Sequence, residues 1–271
     1  GNGWIQAVTM VAILAGIVVF SLLFEIRLDG AEVMSPEQSL VACAPLGWLL
    51  VIGASIELYL AYQLPQLQST DQQKRFDRAA YFSGKTLRKN IGLLRGKRPI
   101  WLAIIGLSIF WSISQVMLAV FPAFAEEHLD QHNTFVIQGV MAFAGIGIMF
   151  GSILAGRFSK HYINVGLIPV GAVGVAVGLV VLPQLDSMLW LAGVFLLIGL
   201  FGALMCVPLN ALVQFHAAES EMGRVLAGSN FIQNLMMLSF LGLTVFFAWS
   251  SLDGLWLLFT LSVIGGLSAL F

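Results

Sequence analysis

Among the carboxamide side chains inside long apolar stretches or at their edges, six stand out: Gln6, Gln115, Asn210, Asn230, Gln233 and Asn234. An amide offers donors and acceptors without a fixed charge, so it can hold a polar solute where a charge would be too costly. The same groups can instead bond across neighbouring helices, a contact typically worth about 0.6 kcal/mol. Glu57 is the one acid within an apolar stretch. Facing a cavity, it could couple transport to protons. It also lies only ~10 Å of helix rise before Pro65, near enough to reach toward headgroups. His128 and His132 stand four apart beside Glu126 and Glu127, a spacing that binds a metal when both sit on one helix. No third ligand is fixed nearby, so no metal is expected and a solvated loop is the simpler reading. None of the four histidines has an aspartate five residues on, the spacing in which Asp orients a His base for acyl transfer. No phosphate-cradling glycine loop with its lysine is present either. The chain is therefore not read as an enzyme, and no cofactor is expected.

The elements that must position these groups are set by composition. Hydrophobic residues make up 59% of the 271 and charged ones 10%, where a soluble domain carries about 25% charged. With a mean hydropathy of +0.92, this is an all-α, multi-pass membrane protein. The net charge of −1 names no partner, and nothing points to nucleic acid. Cys43 and Cys206 both fall in apolar stretches and read as small buried hydrophobes. The sequence begins at Gly1 already entering an apolar span and ends at Phe271 inside another, as part of a longer protein would.

Eight spans are expected, near residues 4–24, 40–64, 100–124, 136–154, 165–182, 189–215, 226–249 and from 255 onward, each close to the ~20 residues that cross a bilayer. Between the second and third, the stretch Gln68–Arg98 carries nine of the thirteen Lys and Arg residues. Placed in the cytoplasm, it puts all basic residues except Arg27 in inside loops, a clean positive-inside partition. Within it Phe76, Ala80, Leu87, Ile91 and Leu94 recur among the basic residues, as in an amphipathic helix lying on an anionic leaflet. Gly147, Gly151, Gly174 and Gly178 are placed to let helices approach closely.

An internal repeat adds architecture. Gly1, Ile5 and Gln6 coincide with Gly228, Ile232 and Gln233 at one offset, and Met10 and Leu14 with Met237 and Leu241 in the same register. Parallel repeats of six helices resemble the plan of major facilitator transporters. In that plan the repeat pairs helices 5 and 11, and the basic linker falls between helices 6 and 7. The chain then corresponds to helices 5 to 12, with residues 1–67 ending the first six-helix half, 68–99 the cytoplasmic linker and 100–271 the second half. The stretch Gly151-Ser-Ile-Leu-Ala-Gly156-Arg157-Phe-Ser-Lys160 resembles the cytoplasmic gate loop between helices 8 and 9 of that superfamily. There a small-residue helix end and basic residues pack on the neighbouring helix. The runs Pro208-Leu-Asn210-Ala-Leu-Val-Gln214 and Ala227-Gly-Ser-Asn230 through Gln233-Asn234-Leu235 look like the bacterial lysophospholipid transporters. Phe110-Trp111 and Asn2-Gly3 fit the same pattern.

That resemblance implies a carrier of the inner membrane that moves lysophospholipid to the cytoplasmic leaflet for reacylation. The amides on helices 5, 7, 10 and 11 would border its central cavity, and its partners would be membrane lipids and an acyltransferase/acyl-ACP synthetase, fused or separate. Symmetry of the repeat favours a shared role for Gln6 and Gln233. Two positions depart from the family pattern, Leu118 and Met237, where ionisable residues are expected. The rival readings are a major facilitator exporter of drugs or metabolites, and a membrane domain serving a fused acyltransferase.

Overall fold

The computed structural model describes residues 2–28, 36–63, 78–160, 162–250, 260 and 263. Every regular element among them is helical: α1 (Asn2–Leu28), α2 (Pro36–Tyr62), α3 (Arg78–Phe82), α4 (Lys85–Gly96), α5 (Arg98–Leu129), α6 (Thr134–Phe158), α7 (Leu167–Val181), α8 (Met188–His216) and α9 (Met222–Trp249), with short 3₁₀ turns at Leu182–Gln184 and Glu219–Glu221. In a bilayer only a helix satisfies its own backbone groups along a single span, which is why an apolar sequence of this length takes no other form. Six described stretches are long and apolar enough to cross: Ala44–Tyr62, Arg98–Leu129, Thr134–Phe158, Leu167–Gln184, Met188–His216 and Glu219–Phe247. The first expected span lies on α1, whose described apolar stretch is Ala7–Phe20. The eighth falls on residues outside those described.

By packing, the chain divides into Gly1–Val11 with Asp77–Phe271 as one unit and Ala12–Phe76 as another. In the first unit α8 is the centre: α6 and α7 pack along it, α5 crosses it, and α5 also packs along α9. Small residues make the α6–α8–α7 contacts possible. A Cβ on Gly147 would strike the Leu196 carbonyl, and one on Gly199 the Ala144 carbonyl, so the same helix pair meets backbone to backbone from both sides. Gly151 faces the Leu200 carbonyl, Gly171 the Phe201 carbonyl, Gly174 the Phe201 ring and Gly178 Ile198. The glycines expected to permit close approach do so, and α8 is their common neighbour. Between α5 and α8 the Phe121 and Phe195 rings meet edge to face at 4.7 Å. The outer faces are apolar and exposed, among them Val173, Val177 and Trp190, as lipid-facing residues should be. In the second unit, residues 47–62 of α2 are exposed throughout.

Local sequence sets the ends. Pro99 stands in the first turn of α5, where its missing N–H costs nothing. Asn133 caps α6, its Oδ1 accepting from the N–H groups of Phe135 and Val136 at 2.9 and 3.2 Å.

One expectation changes shape. The amphipathic linker is two short helices, α3 and α4, because the chain turns at Ser83–Gly84, where Gly84 has φ 71°. Phe76 lies outside the described residues. For His128 and His132 the loop reading fits better than a shared helix face: α5 ends at Leu129 and Asp130 turns to φ 49°. His132 Nε2 then sits 3.0 Å from Asp130 Oδ1, while His128 stacks on Phe124.

Candidate functional site

The six amides sit on four helices, and three of them, Asn210, Gln233 and Asn234, bond to their own helix. On α8, Asn210 is half-buried and its Nδ2 donates to the Cys206 carbonyl at 3.0 Å. On α9, Gln233 Nε2 donates to Ser229 Oγ at 2.9 Å, and Asn234 Nδ2 donates to the Asn230 carbonyl at 2.8 Å. Each bond spans one helical turn. An amide bonded this way stays neutral and partly satisfied, yet keeps its carbonyl oxygen for another donor. Ser229 is buried and fixes the Gln233 side chain; it was not singled out in the sequence, although a serine four residues before a glutamine is the signal that finds it. Gln115 is half-buried on α5, and Asn230 is exposed on α9. Gln6 lies in the first two turns of α1, and its side chain is outside the described set. Glu57 is exposed on α2.

Depth separates these groups. Using 1.5 Å of rise per residue from the helix ends nearest Lys97, Asn210 stands ~9 Å in, Gln233 ~16 Å and Gln115 ~25 Å. They therefore form a ladder along the bilayer normal, not one coordination shell.

At the end of α6, Gly151 and Ala155 are buried against α8, Ala155 clustering with Leu204 and Val207. Gly156, Arg157 and Lys160 are exposed, so the basic residues of that loop take no part in this packing. Leu118 is exposed and Met237 half-buried, so the two family departures lie away from the core. Phe110 and Trp111 meet edge to face at 5.2 Å, and the Phe110 ring fills the space beside Gly202 of α8.

The end of the bundle where α4 meets α5 holds a clasp that sequence reasoning missed. Lys97, the last linker residue before α5, places its Nζ 3.2 Å from Glu221 Oε2 and donates to the His216 carbonyl at 3.4 Å. It thus neutralises an acid at the start of α9 and meets the carbonyl-rich end of α8, where a cation is favoured. Beside it, buried Leu94 of α4 lies over Gly228 of α9; a Cβ there would come within 2.7 Å of Leu94 Cδ1. Gly228, one of the repeat-matched residues, thus owes its type to a docked linker side chain.

A model of the Major Facilitator Superfamily matches residues 1–240. The chain belongs to that superfamily. Three relatives, each named as the lysophospholipid transporter LplT, align over 89% of the chain: 28% identical in Photorhabdus laumondii, 28% in Klebsiella pneumoniae strain 342 and 26% in Yersinia enterocolitica. The chain spans about half the length of the relatives it matches, 56–57%. As a superfamily member with these apolar helices it is a multi-pass membrane protein.

Proposed function

We propose that the chain is the helix 5 to helix 12 part of a carrier that moves lysophospholipid, such as lysophosphatidylethanolamine, to the cytoplasmic leaflet of the bacterial inner membrane. Residues 1–67 would close the first half, 68–99 would link the halves and 100–271 would form the second. The observation that carries this reading is the alignment over 89% of the chain with proteins named for that cargo. The chemistry of the helices supports it: neutral amides on otherwise apolar walls suit a cargo with one polar end. Alternating access would rock the two halves about the site. Gln6, Gln115, Asn210, Asn230, Gln233 and Asn234 would line the path, with the Gly151, Gly156, Arg157 and Lys160 stretch acting as the cytoplasmic gate. Glu57 would serve the interface on this reading, not proton coupling. The product, a lysolipid in the inner leaflet, calls for an acyltransferase to reacylate it, fused or separate.

The test reconstitutes the longer protein carrying this chain in proteoliposomes. Inward movement of labelled lysophosphatidylethanolamine is followed against a labelled sugar and a cationic dye. Selective lysolipid movement is expected, and it should vanish in Gln6→Leu/Gln233→Leu with folded protein retained. Dye or sugar transport without lysolipid movement would replace the reading with that of an exporter; unchanged transport in the double variant would remove the amide pair from the path.

A further inference from the structure

Along α4 runs a shallow groove of about 350 Å³ lined by Gly84, Leu87, Arg88, Ile91, Gly92 and Arg95. These positions form one stripe at helical spacing. Arg88 and Arg95 stand seven residues apart, ~10 Å of rise, close enough for two guanidinium groups to converge on one anion between them. The residue between and beneath them is Gly92, and a Cβ there would meet nothing within 4 Å, so that space is open. Leu87 is exposed and Ile91 half-buried, giving the groove an apolar floor beside its charged walls.

Three further observations say what kind of ligand fits. First, no acidic residue occurs from 78 to 98, while Arg78, Lys85, Arg88, Lys89, Arg95, Lys97 and Arg98 all do. The nearby Glu221 is already engaged by Lys97 at 3.2 Å and lies 3.9 Å from Arg224. Second, the helix is held in place, since buried Leu94, seven residues from Leu87 and flanking the groove, docks it on α9. Third, the Arg95 guanidinium lies 5.0 Å from the centre of the Trp101 ring. Trp101 is one turn into a membrane-spanning helix, and tryptophan at such ends marks the headgroup level. A free anion has no use for an apolar floor at that depth; a lipid phosphate with an acyl chain below it does.

We propose that this groove binds an anionic phospholipid of the cytoplasmic leaflet. Its phosphate sits over Gly92 between Arg88 and Arg95, and the start of an acyl chain lies against Leu87 and Ile91. The site is separate from the amide ladder and does not depend on what the carrier moves. Because α4 is docked on α9 and joined through Lys97 to the ends of α8 and α9, an occupied groove would steady the clasp.

The experiment puts the whole chain in phosphatidylcholine nanodiscs doped with phosphatidylglycerol and reads the lipid retained by native mass spectrometry. Wild type should retain phosphatidylglycerol preferentially. Arg88→Gln/Arg95→Gln should weaken that retention roughly thirtyfold, whereas Lys85→Gln/Lys89→Gln, with equal charge loss outside the groove, should change it less than about threefold. Leu87→Ser keeps every charge and should weaken retention severalfold, so an unstable arginine variant does not decide the result. The proposal is overturned by equal loss in both double variants, which would mean a diffuse basic field. It also falls if retention persists unchanged in Leu87→Ser, if millimolar inorganic phosphate displaces the lipid, or if wild type shows no preference.

Discussion

Helices α8 and α9 are nearly the same length, 29 and 28 residues, and both are apolar enough to span a membrane. Their surroundings differ sharply. In its most apolar stretch α8 is 67% buried, whereas α9 is 6% buried among the described residues. The buried helix is fixed by shape: carbonyls and glycines of α6 and α8 touch, leaving no room for one methyl group. The exposed helix carries three of the six candidate amides, and the donors of Gln233 and Asn234 are met within α9 itself. On the proposed reading, a carrier rocking between two states would need parts whose contacts persist and parts whose contacts can be exchanged. Backbone-to-backbone seams are suited to the first role. Amides satisfied by their own helix are suited to the second, because they lose little when a partner leaves.

The contrast can be broken most forcefully at the seam. Gly199→Leu should cost more than about 3 kcal/mol, because its Cβ alone would strike the Ala144 carbonyl. Thermal unfolding in detergent should show a collapse or no folded protein, and a near-normal melting temperature would deny that the seam is rigid. Next comes the docked linker. Gly228→Leu should expel Leu94 and expose the Arg88, Lys89 and Arg95 peptide bonds to trypsin, read as accelerated cleavage while the spans stay folded. Protection equal to wild type would mean that α4 holds on without that contact.

Smaller effects sharpen the comparison. Ser152 on α6 is buried and its Oγ has no partner in the structure. Ser152→Ala should be neutral or stabilise by up to about 1 kcal/mol, since an unpaired buried hydroxyl is removed. A clear loss in melting temperature would reveal a bond made in another state of the carrier. The smallest effect is expected at the clasp. Lys97→Ala should cost only about 0.5 kcal/mol, because the Lys97 side chain is still 37% exposed and the pair is screened by salt. A double-mutant cycle with Glu221→Gln reads that coupling, and its value should fall as salt is raised.

How much of this was legible in the residues depended on range. Asn133 announces the start of α6 by its type alone, and Gly147 and Gly151 announce a close helix neighbour. Neither glycine says that the neighbour is α8, nor that Gly199 answers Gly147 across the same crossing. Gln233 was visible as a polar group in an apolar span, but its bond to Ser229 depends on a side-chain choice that spacing permits without requiring. The four-residue spacing of His128 and His132 could not by itself make a site, because that rule presumes a continuous helix, and the helix ends between them. Lys97 was hidden in plain sight: among nine basic residues of one linker, nothing local distinguishes the one that finds Glu221, 124 positions away.

By itself the sequence determined that the chain is helical and where most spans lie. Those follow from hydrophobic length, which acts locally and needs no knowledge of neighbours. Tertiary structure alone decided that α8 is the buried centre and that Leu94 docks over Gly228. It also set Arg88 and Arg95 along one groove above the interfacial Trp101. Those outcomes depend on which surfaces meet, and in an environment as apolar as the side chains themselves, close fit and a few polar contacts make that choice.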